Sequence, residues 1–236
     1  MEKIFGFPRA ETPIILAAII AIFFVLLAIL FRSAGNTIKK FLFAGIAVPI
    51  VLVTLYLTVS TISLNINSAT GGPVHWHADF EIWDCGQKLD LIDPKGLSNR
   101  VGTPVLHEHG DNRIHVEGVV VDKEDVSLGK FFKVVDGKIT NEELELATNS
   151  GKMIRQNGDQ CPNGTFATLQ VFIYKTQGNI FNQQKLSDIP SYVLSPFSQV
   201  PPGDCVIIEF DIPKDKTDKL CNFYKIAKDQ GKIHER

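Results

Sequence analysis

Two uncharged runs near the N-terminus limit this chain more than any other feature. Residues 12–31 (TPIILAAIIAIFFVLLAILF) give 20 consecutive residues without a charge, and residues 41–62 (FLFAGIAVPIVLVTLYLTVSTI) give 22. At about 1.5 Å rise per residue, each helix crosses a hydrocarbon core of roughly 30 Å. Core helices of soluble proteins seldom run so long without a charge, so both are read as membrane spans. Pro49 predicts a kink in the second, which membrane helices tolerate. The first run exceeds a typical signal-peptide core and lacks an A-x-A-like cleavage site before the second. The loop between them holds Arg32, Lys39 and Lys40 and no acid. By the positive-inside rule it faces the cytoplasm, which leaves both termini outside. Residues 1–62 therefore read as a two-helix transmembrane hairpin, with the lipid bilayer as its partner.

Residues 63–73 (SLNINSATGGP) are polar, end in Gly-Gly-Pro and read as a linker. Residues 74–236 then form one domain of ordinary size. Of 24 Lys/Arg and 26 Asp/Glu in the whole chain, five and two fall within residues 1–62, so the remainder carries a net charge of −5. An acidic domain without clustered Lys/Arg argues against a nucleic-acid partner. All four cysteines, Cys85, Cys161, Cys205 and Cys221, follow the second run and show no C-x-x-C spacing. In an extracytoplasmic domain they predict two disulfides, with three connectivities open.

Five of the six histidines fall between His75 and His115. If residues 74–83 form a strand, side chains alternate between its faces. His75, His77, Asp79 and Glu81 then share one face, and Val74, Trp76, Ala78, Phe80 and Ile82 the other. Farther on, Gly110-Asp111-Asn112 signals a three-residue hairpin loop. Pairing His109 with Arg113 across it sets His107 opposite His115, with Leu106, Ile114 and Val116 on the reverse face. A loop of four residues would put His115 on the wrong side.

Elsewhere, Gly86 turns the first strand towards a partner at Lys88–Leu91, and the hairpin continues into Val119–Val121. Residues 126–132 suggest a short helix capped by Asp125. Leu169–Tyr174 and Cys205–Phe210 read as strands, with Pro190, Pro196, Pro201 and Pro202 marking irregular chain between them. Asp218–Lys228 reads as a C-terminal helix that Cys221 could tether. The sum is an α+β, mostly-β domain with one mixed sheet.

Together these stretches resemble a group of bacterial and archaeal membrane-anchored extracytoplasmic domains without an established activity. The matching residues are His75/His77; His107/His109/Asp111 with Ile114-His115-Val116-Glu117; Leu128-Gly129-Lys130-Phe131-Phe132; and Gly203–Glu209. The resemblance covers most of residues 74–211 and implies a β-grasp-like arrangement. The spacing His75-x-His77-x-x-x-Glu81 also matches the first cupin metal motif. The histidine of the second motif is missing after Pro202-Gly203, which argues against that family.

Neutral imidazoles suit zinc, copper, nickel and iron, and H-x-H on a strand offers two from one side. With only two methionines and the cysteines paired, soft-ligand Cu(I) storage loses support, leaving Zn(II) or Cu(II). The expected ligands are His75, His77, His107, His109 and His115. Asp79, Glu81, Asp111 and Glu117 are expected as supplementary ligands or as acceptors behind them. Metal sensing, handling or assembly of a partner membrane complex would each fit. A metalloenzyme with Glu81, Glu108 or Glu117 as base, and a metal-free interaction module, remain open alternatives.

Overall fold

A computed structural model of the chain describes residues 3–4, 7–8, 11–194 and 203–236. It divides into two compact units, residues 1–72 and 73–236. The first begins with two short paired strands, β1 (Lys3–Ile4) and β2 (Phe7–Pro8). The helices α1 (Glu11–Leu30) and α2 (Asn36–Asn67) follow, both long and apolar enough to cross a membrane. The rings of Phe24 and Phe41 meet edge to face at 5.9 Å. Gly45 lies so close to Phe24 that a Cβ there would come within 2.3 Å of the ring, so any larger residue must displace it.

Pro49 lies inside α2, which continues past it without a break. The polar stretch expected to be linker stays helical as far as Asn67 instead. Its side chains bond back onto the helix: the amides of Asn65 and Asn67 donate to the carbonyls of Thr61 and Ser63, each at 2.8 Å. Only residues 68–72 separate α2 from the first strand of the second unit.

That unit is α+β. In chain order it contains β3 (Pro73–Asp84), β4 (Gln87–Leu89), β5 (Val101–Gly102), β6 (Leu106–Glu108) and β7 (Arg113–Val119). The helix α3 (Leu128–Val134) comes next, then β8 (Lys138–Ile139), β9 (Glu143–Thr148) and β10 (Gly151–Gln156). The chain ends with β11 (Thr168–Gln177), β12 (Ile180–Lys185), β13 (Cys205–Asp211), α4 (Asn222–Asp229) and β14 (His234–Glu235). The main sheet runs β14-β12-β11-β13-β3-β7-β6-β5, with β4 also paired to β3. It is mixed, since β13 lies parallel to β3 and β14 parallel to β12. A second, three-stranded sheet, β10-β9-β8, was not anticipated from the sequence.

The two faces of the main sheet have different fates. Ala78, Phe80, Ile82, Leu106, Ile114 and Val116 join the larger core with Phe131 and Phe132 of α3 and Leu144 and Leu146 of β9. The other face carries a smaller core over β11, β12 and β13, where Phe172, Phe181, Cys205 and Ile207 pack against Tyr224 and Ala227 of α4. The remainder of that second face, on β3, β7 and β6, holds the histidines.

Two local expectations are corrected. Ser127, not Asp125, caps α3, its Oγ accepting from the backbone N–H of Lys130 at 3.3 Å. Asp125 instead closes a capping box with Asp122 on the 3-10 turn Lys123–Val126 that precedes α3. Gly129 is required by close approach: a Cβ there would stand 2.9 Å from the Pro190 carbonyl oxygen, which its own N–H reaches at 2.9 Å. Pro196, Pro201 and Pro202 lie outside the described residues.

Disulfides join Cys85 to Cys161 and Cys205 to Cys221. The second fixes the start of α4 against β13. Phe131 is fully buried between the sheet and its neighbour Phe132, its ring 5.6 Å from that of Phe80. Phe131→Ala is expected to cost about 3–5 kcal/mol through lost transfer energy and a cavity. Chemical unfolding followed by the fluorescence of Trp76 and Trp83 would measure it.

Candidate metal centre

The register of three strands builds the site. His77 on β3 pairs with His115 on β7, and His115 pairs in turn with His107 on β6. Three imidazoles therefore stand in one row across the sheet. In the next row His75 faces Glu117, and in the row on the other side Asp79 faces Arg113. The predicted alternation of β3 and the predicted pairing of His107 with His115 both hold. What the sequence could not supply is the alignment of β3 with β7, which adds His77 to the row.

The turn that sets this register is pinned from the core side. Gly110 and Asn112 take left-handed φ of 79° and 58°. The buried Glu108 carboxylate accepts the Asp111 N–H at 2.8 Å. Glu108 thus shares the face of Leu106, opposite His107, and leaves the set of candidate bases. Burial raises its pKa, against the pull of the backbone N–H groups of the turn.

All five rings meet. Nε2 of His75 lies 3.1 Å from Nε2 of His77, and Nε2 of His107 lies 3.1 Å from Nε2 of His109. The His115 ring sits between the pairs, its centroid 4.7 Å from those of both His77 and His109. It stacks on His107 with an interplanar angle of 7°. Two imidazoles binding one tetrahedral zinc at about 2.0–2.1 Å bring their nitrogens to roughly 3.3 Å. Each H-x-H pair is already close to that spacing.

The groups behind the rings orient them. The Nδ1–H of His109 donates to the backbone carbonyl of Asn99, a residue held at a left-handed φ of 47°. That fixes the tautomer and leaves the Nε2 lone pair of His109 turned towards His107. The Asp111 carboxylate accepts from Nε2 of His115 at 3.1 Å. Nδ1 of His115 and Nδ1 of His107 are both buried without a hydrogen-bond partner. Buried lone pairs of this kind are costly unless something binds them. His115, with a carboxylate on one ring nitrogen and the other left free, has the usual arrangement of a metal-binding histidine.

The four expected carboxylates divide. Asp111 touches His115, and Glu117 places Oε1 3.3 Å from Nε2 of His75 and Oε2 4.0 Å from Nε2 of His107. Asp79 and Glu81 are turned to other partners. Asp79 accepts from Nε of Arg113 at 2.9 Å, and the guanidinium lies over the Phe223 ring of α4. Glu81 accepts from Nε1 of Trp83 at 3.0 Å and from Nζ of Lys88 at 3.1 Å. Asn99, which the sequence reading missed, takes part through its carbonyl alone, and no residue-type signal marks a carbonyl.

Burial, helped by His115 and Arg113, lowers the pKa of His77 to about 4, and burial also lowers those of His107 and His115. These three rings are neutral at pH 7, the form that binds metal. An unfolded histidine takes up its proton near pH 6.5. Between that and about 4 the unfolded chain therefore binds a proton that folded His77 excludes, so this contribution to stability is lost as pH falls. Asp79, raised by burial to about 6, works in the opposite direction, since its folded carboxyl gains a proton before the unfolded one does. Histidine NMR titration of metal-free protein should show His77 still neutral at pH 5.5. Titration near 6.5 would contradict the buried geometry.

No protein-family model, curated protein or solved structure matches this chain.

Proposed function

We propose that the chain is a membrane-anchored domain that holds a transition metal, Zn(II) or Cu(II), through clustered histidines outside the cytoplasm. One observation carries this reading: two H-x-H pairs, one on β3 and one at the end of β6, each bring two nitrogens to 3.1 Å of one another. The neutral rings of His77, His107 and His115, the Asn99 and Asp111 acceptors and the partnerless Nδ1 of His115 support it. Two disulfides fit an oxidising compartment, and the basic loop between α1 and α2 fits a cytoplasmic turn. Metal handling, sensing or assembly of a partner membrane complex are the roles such a module would serve. Glu81 and Glu108 are committed to other networks, which weakens the metalloenzyme alternative.

Elemental analysis of the full chain, purified in detergent without chelators or a polyhistidine tag, tests the proposal. At least one equivalent of zinc or copper is expected after supplementation with either ion and desalting. Less than a tenth of an equivalent of either sinks the reading. Asp111→Asn, which keeps the shape but weakens the acceptor behind His115, should lower zinc affinity by about 10–100-fold. A competition assay against a chromophoric chelator would measure that change.

A further inference from the structure

The histidine nitrogens fall into two groups, His75/His77/His115 and His107/His109/His115, each within 4.8 Å internally and sharing only His115. A tetrahedral ion takes four donors. Five imidazoles and two nearby carboxylates exceed what one such ion uses. The pairs also lie on opposite sides of β7, His75 and His77 on β3, His107 on β6 and His109 just after it. Between them lies Glu117, with one carboxylate oxygen towards His75 and the other towards His107.

We infer that the site is dinuclear: one ion on His75 and His77, a second on His107 and His109, with Glu117 bridging them and His115 at their junction. This rests on the metal-binding reading above and adds the number of ions and the identity of the bridge. A carboxylate can offer one oxygen to each of two cations, and the two oxygens of Glu117 already face different pairs. Imidazole ligands bring no charge of their own, so the Glu117 carboxylate, with Asp111 behind His115, offsets part of the positive charge that two divalent ions introduce.

The count of ions decides the matter. Native mass spectrometry of the full chain in detergent, titrated with Zn(II), should saturate at two ions per chain. His75→Ala/His77→Ala and His107→Ala/His109→Ala should each retain one. Loaded with two equivalents of Cu(II), the wild type should lose most of its ordinary electron paramagnetic resonance intensity through spin coupling. Each pair variant should instead give the full signal of one isolated ion. Glu117→Gln, a near-isosteric change, supplies an independent check should a pair variant fold poorly: its second ion should bind at least 10-fold more weakly. Saturation of the wild type at one ion overturns the dinuclear assignment and leaves metal binding standing. Failure to bind any zinc overturns both.

Discussion

His115→Ala should weaken zinc binding by more than about 100-fold, exceeding what the loss of a group behind a ligand usually costs. His115 is the one imidazole common to both histidine groups, so its loss degrades the site whichever group an ion occupies. Its ring also separates His77 from His109 and stacks on His107, so alanine removes a spacer along with a ligand. In the metal-free protein the substitution removes a buried ring nitrogen that has no partner. That gain is set against the lost ring packing and the lost bond to Asp111, so the apo fold is moderately destabilised, while the zinc-dependent rise in stability is what should largely disappear. Thermal unfolding with and without Zn(II) separates these effects. A variant that keeps its full zinc-induced rise in Tm would show that the row of histidines is not the ligand set.

Removing the bridge between Cys85 and Cys161, as Cys85→Ala/Cys161→Ala, should lower unfolding free energy by about 4–5 kcal/mol. The bond closes a separation of 76 residues, and chain-entropy reasoning assigns a loop of that length close to this value. It ties the end of β3 to the segment between β10 and β11, beside the pair that Arg155 makes with both oxygens of Asp84. The bridge from Cys205 to Cys221 spans only 16 residues, and its loss should cost about 3 kcal/mol. Denaturant midpoints for the two double variants, compared with wild type, check both the size and the order. Equal midpoints would mean that the constraint acts chiefly on the folded state.

Where local periodicity governs, the sequence was readable. Alternation along β3 sorted His75 and His77 from Trp76 and Ala78, and the Gly110-Asp111-Asn112 turn set His107 across from His115. Both follow from chain geometry over a few residues. The alignment of β3 with β7 does not, because antiparallel strands distant in sequence carry no local signal for which residue faces which. It was this alignment that brought His77 opposite His115. Asp79 and Glu81 occupied the expected face, yet Arg113, Trp83 and Lys88 drew them away from the rings. Those partners come from the neighbouring strands β7 and β4 and from β3 itself, and alternation alone does not select among them. The small sheet of β8, β9 and β10 escaped notice because Glu143–Gln156 holds only Thr148 and Ile154 of the β-branched and aromatic residues that mark strands. The helical continuation to Asn67 was likewise hidden by polar side chains, whose bonds to the preceding turn keep the helix intact.

Zinc K-edge X-ray absorption on the loaded full-length protein tests most directly whether these imidazoles hold an ion. The expected spectrum shows nearest neighbours at about 2.0–2.1 Å dominated by nitrogen, with the outer-shell scattering of at least two imidazoles per ion. A six-coordinate shell of oxygen alone, without imidazole scattering, would contradict it.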